Sequence, residues 1–308
     1  MRKVAVVTTG FFDGVHLGHR HVLSAVVSSA RERGEEAVVV TFWPHPRTVL
    51  QQDAREFRIL TSLEEKKALL LAAGIDRVEV IPFTREFAAM KADEYLQLLA
   101  DKYGASLVVM GYDNRIGSDK LTAEEIGISQ AVAPRPLPTS LRSVGPLPFT
   151  WPRAAMVSED SNAPVISSTK IRKALQEGRV EEANGMLGYR YGLYGVVVAG
   201  NQMGRTMGFP TANMQLYEPL KLVPANGVYA VEAEVLGTTY KGMCNIGMRP
   251  TVGGASRTIE THILDFDQDI YGLPLRIRFL RRIRDERKFP SLEALREQLT
   301  LDALNCKK

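Results

Sequence analysis

Gly10-Phe11-Phe12-Asp13-Gly14-Val15-His16-Leu17-Gly18-His19 lies between an apolar run, Val4-Ala5-Val6-Val7, and a helical pattern from about Arg20 to Arg33. Four apolar residues in succession fit a short strand buried on both faces, as in a parallel sheet. The glycine-rich stretch is then a strand-to-helix turn. There the free N–H groups and the positive end of the helix dipole favour an anion. Its glycines let the backbone come close to a ligand. A single histidine here would read as a surface or helix-capping residue. Two of them, His16 and His19, flanking Gly18 in such a turn point to phosphate chemistry. Imidazole N–H groups and backbone amides suit the charge that builds on a phosphorus under attack. His16 and His19 are the catalytic candidates, and Gly10, Phe11, Asp13, Gly14 and Gly18 the phosphate-binding ones.

Outward from this turn the pattern alternates. Ala37–Phe42, Arg77–Ile81 and Leu107–Met110 read as strands. A capping box at Ser62–Glu65 opens a helix ending near Gly74, and another runs from Asp93 to Tyr103. Strands alternating with helices predict a doubly wound, Rossmann-like α/β sheet of parallel strands. Ligands meet such sheets at the C-terminal ends of the strands. His45 and Pro46 stand at one such end, and Asp113 and Arg115, between Gly111 and Gly117, at another. Read blandly, His45 is a rigid turn residue and Asp113–Arg115 a solvated ion pair. From 131 to 160, six prolines break every element, so a loop is expected. Ser167, Ser168 and Thr169 then precede a helix from Lys170 to Gln176. One hydroxyl would be the N-cap, and with Arg172 the turn reads as a second phosphate-binding helix start.

Beyond about 185 the texture changes. Short β-rich runs at 191–199, 227–235, 239–245, 258–264 and 275–280 predict a small antiparallel β-barrel, closed by a C-terminal helix that starts at Ser291. The expected domains are 1–185 and 186–308. In the second, Gly204-Arg205-Thr206-Met207-Gly208-Phe209-Pro210-Thr211-Ala212-Asn213 brings two oxygens, on Thr211 and Asn213, within reach of a hard cation such as Mg²⁺. Asn245, Arg249 and Glu260 follow. Glu260, on a strand between apolar neighbours, could take a proton from a hydroxyl, or simply face solvent.

The chain has 308 residues, 45% of them hydrophobic, a net charge of +4 and two cysteines, Cys244 and Cys306. No apolar run approaches a membrane span and no signal peptide is read. The cysteines suit free thiols in a reducing cytoplasm. No clustered basic stripe suggests nucleic acid.

His-x-Gly-His after a first strand resembles the nucleotidyltransferase signature, and both halves together resemble bacterial bifunctional riboflavin kinase/FAD synthetases. Gly10–His19, Pro44–Pro46, Gly111–Gly117 and Ile166–Arg172 are similar to the adenylyltransferase motifs of that family. Gly204–Asn213, Asn245–Thr251 and Glu260–Gly272 are similar to its flavokinase motifs. Asn114 and Ile116 stand where the family usually carries aromatic residues. The resemblance implies that ATP phosphorylates riboflavin to FMN, and that FMN then attacks a second ATP to give FAD and pyrophosphate. Thr211 and Asn213 would bind Mg²⁺, and Glu260 would be the general base, with Gly204, Arg205, Gly208, Pro210, Asn245 and Arg249 around the kinase substrates. His16 and His19 would stabilise the transferring phosphate, and Ser167, Ser168, Thr169 and Arg172 would hold the triphosphate. His45, Pro46, Asp113 and Arg115 would shape the nucleotide or flavin pocket. Riboflavin, FMN, FAD and ATP are the implied partners, without nucleic acid or membrane. Two rivals stay open: another nucleotidyltransferase, and a kinase-only or flavin-sensing protein with an impaired N-terminal module.

Overall fold

In a computed structural model of the protein, the described residues are 4–50, 57–111, 114–122, 125–126, 149–150, 166–200, 203–251 and 254–307. They belong to two compact units, residues 1–166 and 167–308.

The first unit is built on five parallel strands: β1 (Ala5–Thr9), β2 (Glu36–Trp43), β3 (Arg77–Pro82), β4 (Ala105–Val109) and β5 (Phe149–Thr150), in the order β3-β2-β1-β4-β5. Every residue of β1 is buried, Thr8 and Thr9 included, whereas Val4 just before it is exposed. Helices α1 (Leu17–Arg33) and α3 (Leu63–Ala72) cover one face, where Leu23, Val26, Ala30 and Leu70 meet Val6, Val39 and Val109. Helix α5 (Ala92–Tyr103) covers the other, placing Tyr95, Leu96 and Leu99 on Val7, Val40 and Val108. Short helices α2 (Pro46–Leu50) and α4 (Arg85–Ala88) follow β2 and β3. Gly34 and Gly104 end α1 and α5 in left-handed conformations. The proline-rich stretch lies outside the described residues, apart from β5, a short strand where a loop was expected.

The second unit opens with α6 (Ser168–Gln176) and α7 (Val180–Leu187). Six antiparallel strands then close a barrel: β6 (Gly192–Val198), β7 (Ala212–Leu216), β8 (Gly227–Val235), β9 (Thr238–Thr251), β10 (Gly254–Ile263) and β11 (Pro274–Arg284). A one-turn helix, α8 (Met203–Thr206), interrupts β6 and β7, and α9 (Leu292–Lys307) ends the chain. The barrel has one strand more than expected. Ala212–Leu216, polar at Asn213 and Gln215, is a strand because it pairs with both β6 and β10 and so closes the ring. On β8, Tyr229 packs edge-on against Phe279 of β11, while Val228 and Ala230 meet Cys306 and Leu299 of α9. A buried ion pair, Arg284 Nη2 to Asp302 Oδ2 at 2.8 Å, pins α9 to β11.

The compact units divide at 166/167, whereas the sequence suggests a boundary near 185. Helices α6 and α7 are tied to the barrel: Ala225 N donates to Leu175 O, Asn184 Nδ2 donates to Phe279 O, and Tyr191 N donates to Asn184 Oδ1.

Candidate functional sites

In the first unit the turn after β1 is strained and tightly held. Phe12 and Val15 adopt positive φ of 48° and 38°, and Gly14 one of 84°. Such backbone persists where its surroundings over-determine it. Asp13 provides that restraint. Its buried carboxylate accepts from Leu60 N at 3.0 Å, Thr61 N at 3.1 Å and the Thr61 hydroxyl at 3.2 Å, while Gly14 N donates to that same hydroxyl. Asp13, expected to contact phosphate, therefore spends these lone pairs on the loop before α3 and shapes the turn. Asp13→Ala leaves buried N–H groups unpaired and is expected to destabilise the first unit by about 2–4 kcal/mol. Thermal unfolding checks this, and an unchanged transition would contradict it.

His16 is the N-cap of α1, and its Nδ1 accepts from His19 N at 3.3 Å. Its ring proton is then on Nε2. The capping reading and the catalytic reading of His16 are thus compatible. The two imidazoles stack, with centroids 3.6 Å apart and planes at 16°, and Phe12 meets the His19 ring edge-on at 5.3 Å. Burial above all, then His16 and Lys66, hold His19 well below the usual imidazole range. His19 is therefore neutral at pH 7. Its Nδ1 is buried, with no hydrogen-bond partner among the described residues.

His45 lies between two rings, Phe11 at 4.1 Å and Phe57 at 4.3 Å. Its Nδ1 accepts from Arg47 N at 3.2 Å, as Pro46 opens α2. A cavity of about 440 Å³ opens beside the turn, lined by Thr9, Gly10 and Phe11, by the rings of Phe42, Phe83, Phe87 and Tyr95, and by Asn114 and Arg115. Within it the Tyr95 and Thr9 hydroxyls are 2.6 Å apart, and Asn114 Nδ2 donates to Thr9 O at 3.4 Å. Arg115 Nη1 donates to Lys120 O at 3.2 Å, across a turn. Asp113 lies outside the described residues.

Ser167, Ser168, Thr169 and Arg172 begin the second unit. Ser167 is the N-cap of α6, accepting from Lys170 N at 3.3 Å.

In the barrel, Glu260 of β10 stands opposite Asn213 of β7 on one side and Asn245 of β9 on the other. Cross-strand partners share a face, and all three line a cavity of about 760 Å³ together with Gly204, Phe209, Thr211, Arg249 and Phe289. Ile259 and Ile263 are buried, as the alternation predicts, but Glu260 faces this cavity. Arg249 Nη2 donates to Glu260 Oε1 at 2.8 Å. A second cavity, of about 390 Å³, is lined by Arg205, Pro210, Thr211, Phe266, Asp267 and Tyr271 among others. Thr211 faces both. His262 donates from Nδ1 to Pro210 O at 2.8 Å and packs edge-on against Phe209, fixing the Phe-Pro-Thr turn. Gly208, at φ 83°, is exposed and lines neither cavity.

The sequence gives no hint of the aromatic cavity, whose rings come from β2, the loop after β3, α4 and α5, and only a faint one of Lys66, a lysine buried under the turn. Among the described residues no helix is long and apolar enough to cross a membrane.

The family model for FAD synthetase matches residues 1–131, and that for riboflavin kinase matches 187–308. A bifunctional riboflavin kinase/FMN adenylyltransferase of Bacillus subtilis is 36% identical over 302 residues, covering 97% of this chain and 90% of its own. The protein of the same description from Escherichia coli K12 is 34% identical over 308 residues, covering 98% and 91%. A crystal structure described as a macrolide-efflux protein from Streptococcus pneumoniae superimposes with a TM-score of 0.86 at 32% identity, covering 100% of this chain and 95% of that one.

Proposed function

This chain belongs to the bifunctional riboflavin kinase/FMN adenylyltransferase family, and we propose that its two units each carry one step: riboflavin is phosphorylated in the barrel, and FMN is adenylylated at the histidine turn. The observation that carries this reading is the presence of two differently built sites. One is a carboxylate between two asparagines in a barrel cavity; the other is a pair of stacked, desolvated imidazoles at a helix start.

In the barrel, Thr211 faces both cavities, so it marks where the two substrates meet. The larger cavity, with Phe209, Phe289 and Glu260, suits the flavin and its ribityl chain, and the narrower one suits the nucleotide. Arg249 holds one oxygen of Glu260, and the carboxylate takes the proton of the terminal ribityl hydroxyl as that oxygen attacks the γ-phosphorus. FMN and ADP result. Asn245 borders Glu260 in this face, and Gly204, Arg205 and Pro210 shape the loop around the phosphates.

The donor set fits magnesium. Thr211 and Asn213 offer a hydroxyl and an amide oxygen, which suit a hard cation that keeps phosphate and water in its shell. The Asn213 amide lies so close to Gly200 that a Cβ there would stand 2.1 Å from Nδ2. Among the described residues no group of three or more His, Cys, Asp or Glu could hold a metal without substrate. When bound, Mg²⁺ would neutralise charge on the phosphates. Asn213→Ala is expected to raise the Mg²⁺ concentration needed for half-maximal kinase activity about tenfold, read from a magnesium titration. An unchanged titration would remove Asn213 from the metal's surroundings.

In the first unit the aromatic cavity of Phe42, Phe83, Phe87 and Tyr95 receives the isoalloxazine. The FMN phosphate attacks the α-phosphorus of ATP, and pyrophosphate leaves. His16, through Nε2, and neutral His19 donate N–H bonds to the charge that develops. Backbone amides of the turn from Gly10 to Gly18 hold phosphate, with His45, Pro46 and Arg115 around the substrates. The burial of both thiols, Cys244 and Cys306, agrees with a cytoplasmic enzyme. Phosphate accounting tests the pair of steps: each FAD made from riboflavin releases one ADP and one pyrophosphate. ADP release without pyrophosphate would leave the first unit without this activity.

A further inference from the structure

Lys66 takes no part in the steps above. It is 1% exposed, in the middle of α3. Its ammonium donates to Phe11 O at 3.1 Å and to Thr41 Oγ1 at 3.3 Å, and lies over the rings of Phe11 and Trp43 at 5.1 and 5.7 Å. Among the described residues no carboxylate stands at ion-pair distance from it. Lysine is almost never fully buried unless paired, and an apolar side chain of similar volume would fill the place without desolvating a charge. Retaining the ammonium there needs a reason, and its position supplies one. It is bonded to the backbone of the turn that the proposed adenylyl transfer uses.

We propose that Lys66 is a positioning residue that sets a standing positive charge behind the Gly10–His19 turn, and that the bound phosphates complete the counter-charge that Asp13 supplies from beyond ion-pair distance. This rests on the reading of the first unit as a site for a triphosphate. The bond to the Phe11 carbonyl also fixes the turn's entry from β1.

The charged and titratable groups that face Lys66 are few. Asp13 comes from the turn and His16 and His19 from the start of α1, whereas β2 contributes uncharged Thr41 and Trp43, and Glu65 beside it on α3 is held in the capping box. Burial pulls the ammonium down to about 8, with Asp13 pulling the other way. Lys66 in turn helps to keep His19 neutral. An anion bound at the turn favours the charged ammonium, so binding near pH 8 takes up protons.

The test uses the full chain, with Mg²⁺ and inorganic pyrophosphate as the probe. Calorimetry near pH 8 in buffers of different ionisation enthalpy reads proton uptake, and the second unit contributes equally to every variant. The wild type is expected to take up a fraction of a proton. Lys66→Met should lose that uptake and bind pyrophosphate about 10- to 100-fold more weakly. Lys66→Arg, charged at every pH, should keep much of the affinity without the uptake. FMN formation in the barrel should be unchanged in both. Equal binding by Lys66→Met and wild type would overturn the proposal. So would equal losses in Lys66→Met and Lys66→Arg, which would make the role one of shape. Should Lys66→Arg not fold, the wild type and Lys66→Met decide by uptake and affinity alone. If wild-type protein makes no FAD from FMN and ATP, the reading of the first unit fails and the proposal with it; if it does make FAD, the outcomes above concern Lys66 alone.

Discussion

Glu260→Gln is expected to stop FMN formation while leaving FAD formation from supplied FMN intact. The carboxylate lies between Asn213 and Asn245 and is the acidic side chain that Arg249 holds in the large barrel cavity. An amide keeps the size and can still meet the cavity wall, but it cannot accept the hydroxyl proton. Loss of a general base costs about 10²- to 10⁴-fold in rate. Glu286 also lines this cavity, but it accepts from Asn226 Nδ2 and lies against Gly247, outside the Asn213–Glu260–Asn245 row. It is therefore not expected to replace Glu260. Riboflavin turnover by Glu260→Gln within a few-fold of wild type would remove the base role and leave Glu260 as the partner that orients Arg249.

His19→Ala is the mirror experiment. The first unit should lose about 10²- to 10³-fold in FAD formation, the usual cost of one preorganised donor to a developing charge. Kinase activity should persist, so riboflavin should accumulate as FMN. The stacking on His16 implies a second effect: the His19 backbone N–H donates to the His16 cap, and that bond survives in the alanine variant. The loss is then chemical rather than a collapse of α1, and the thermal transition should move little. The direction of pH dependence follows from the depressed His19 value. The imidazole is neutral above that value and becomes charged only as pH falls through it. No His19 inflection is expected near pH 6.5, and any loss due to it sets in at lower pH. An inflection near 6.5 that disappears in His19→Ala would contradict the neutral-imidazole account.

Much of the first unit was legible because its signals are local. A strand buried on both faces must be an unbroken apolar run, and Val38-Val39-Val40 and Leu107-Val108-Val109 are such runs. The histidine turn was legible because strand, glycines and helix start follow one another in the chain. Strand β7 was not, although Ala212, Met214 and Leu216 alternate with Asn213 and Gln215: it is only five residues long, it overlaps the Gly204–Asn213 loop, and its pairing with β6 and β10 settles it as a strand. Helices α2 and α4, of 5 and 4 residues, are too short to show a period. The engagement of Asp13 was hidden for a related reason. Its partners, Leu60 and Thr61, are 47 and 48 residues away, and no spacing rule reveals that its oxygens are engaged there. Lys66 left one trace, a charged residue four positions before buried Leu70 on the same side of α3. Arg249 and Glu260 were each singled out, but their bond depends on the β9–β10 register, which only the folded sheet displays.

The two-site account is tested most directly by separating the flavins over time after unsubstituted protein is mixed with riboflavin, ATP and Mg²⁺. FMN should appear first, and FAD should rise after it with release of pyrophosphate. Riboflavin that stays unchanged, or FMN that accumulates without any FAD, would contradict the account at the barrel or at the histidine turn respectively.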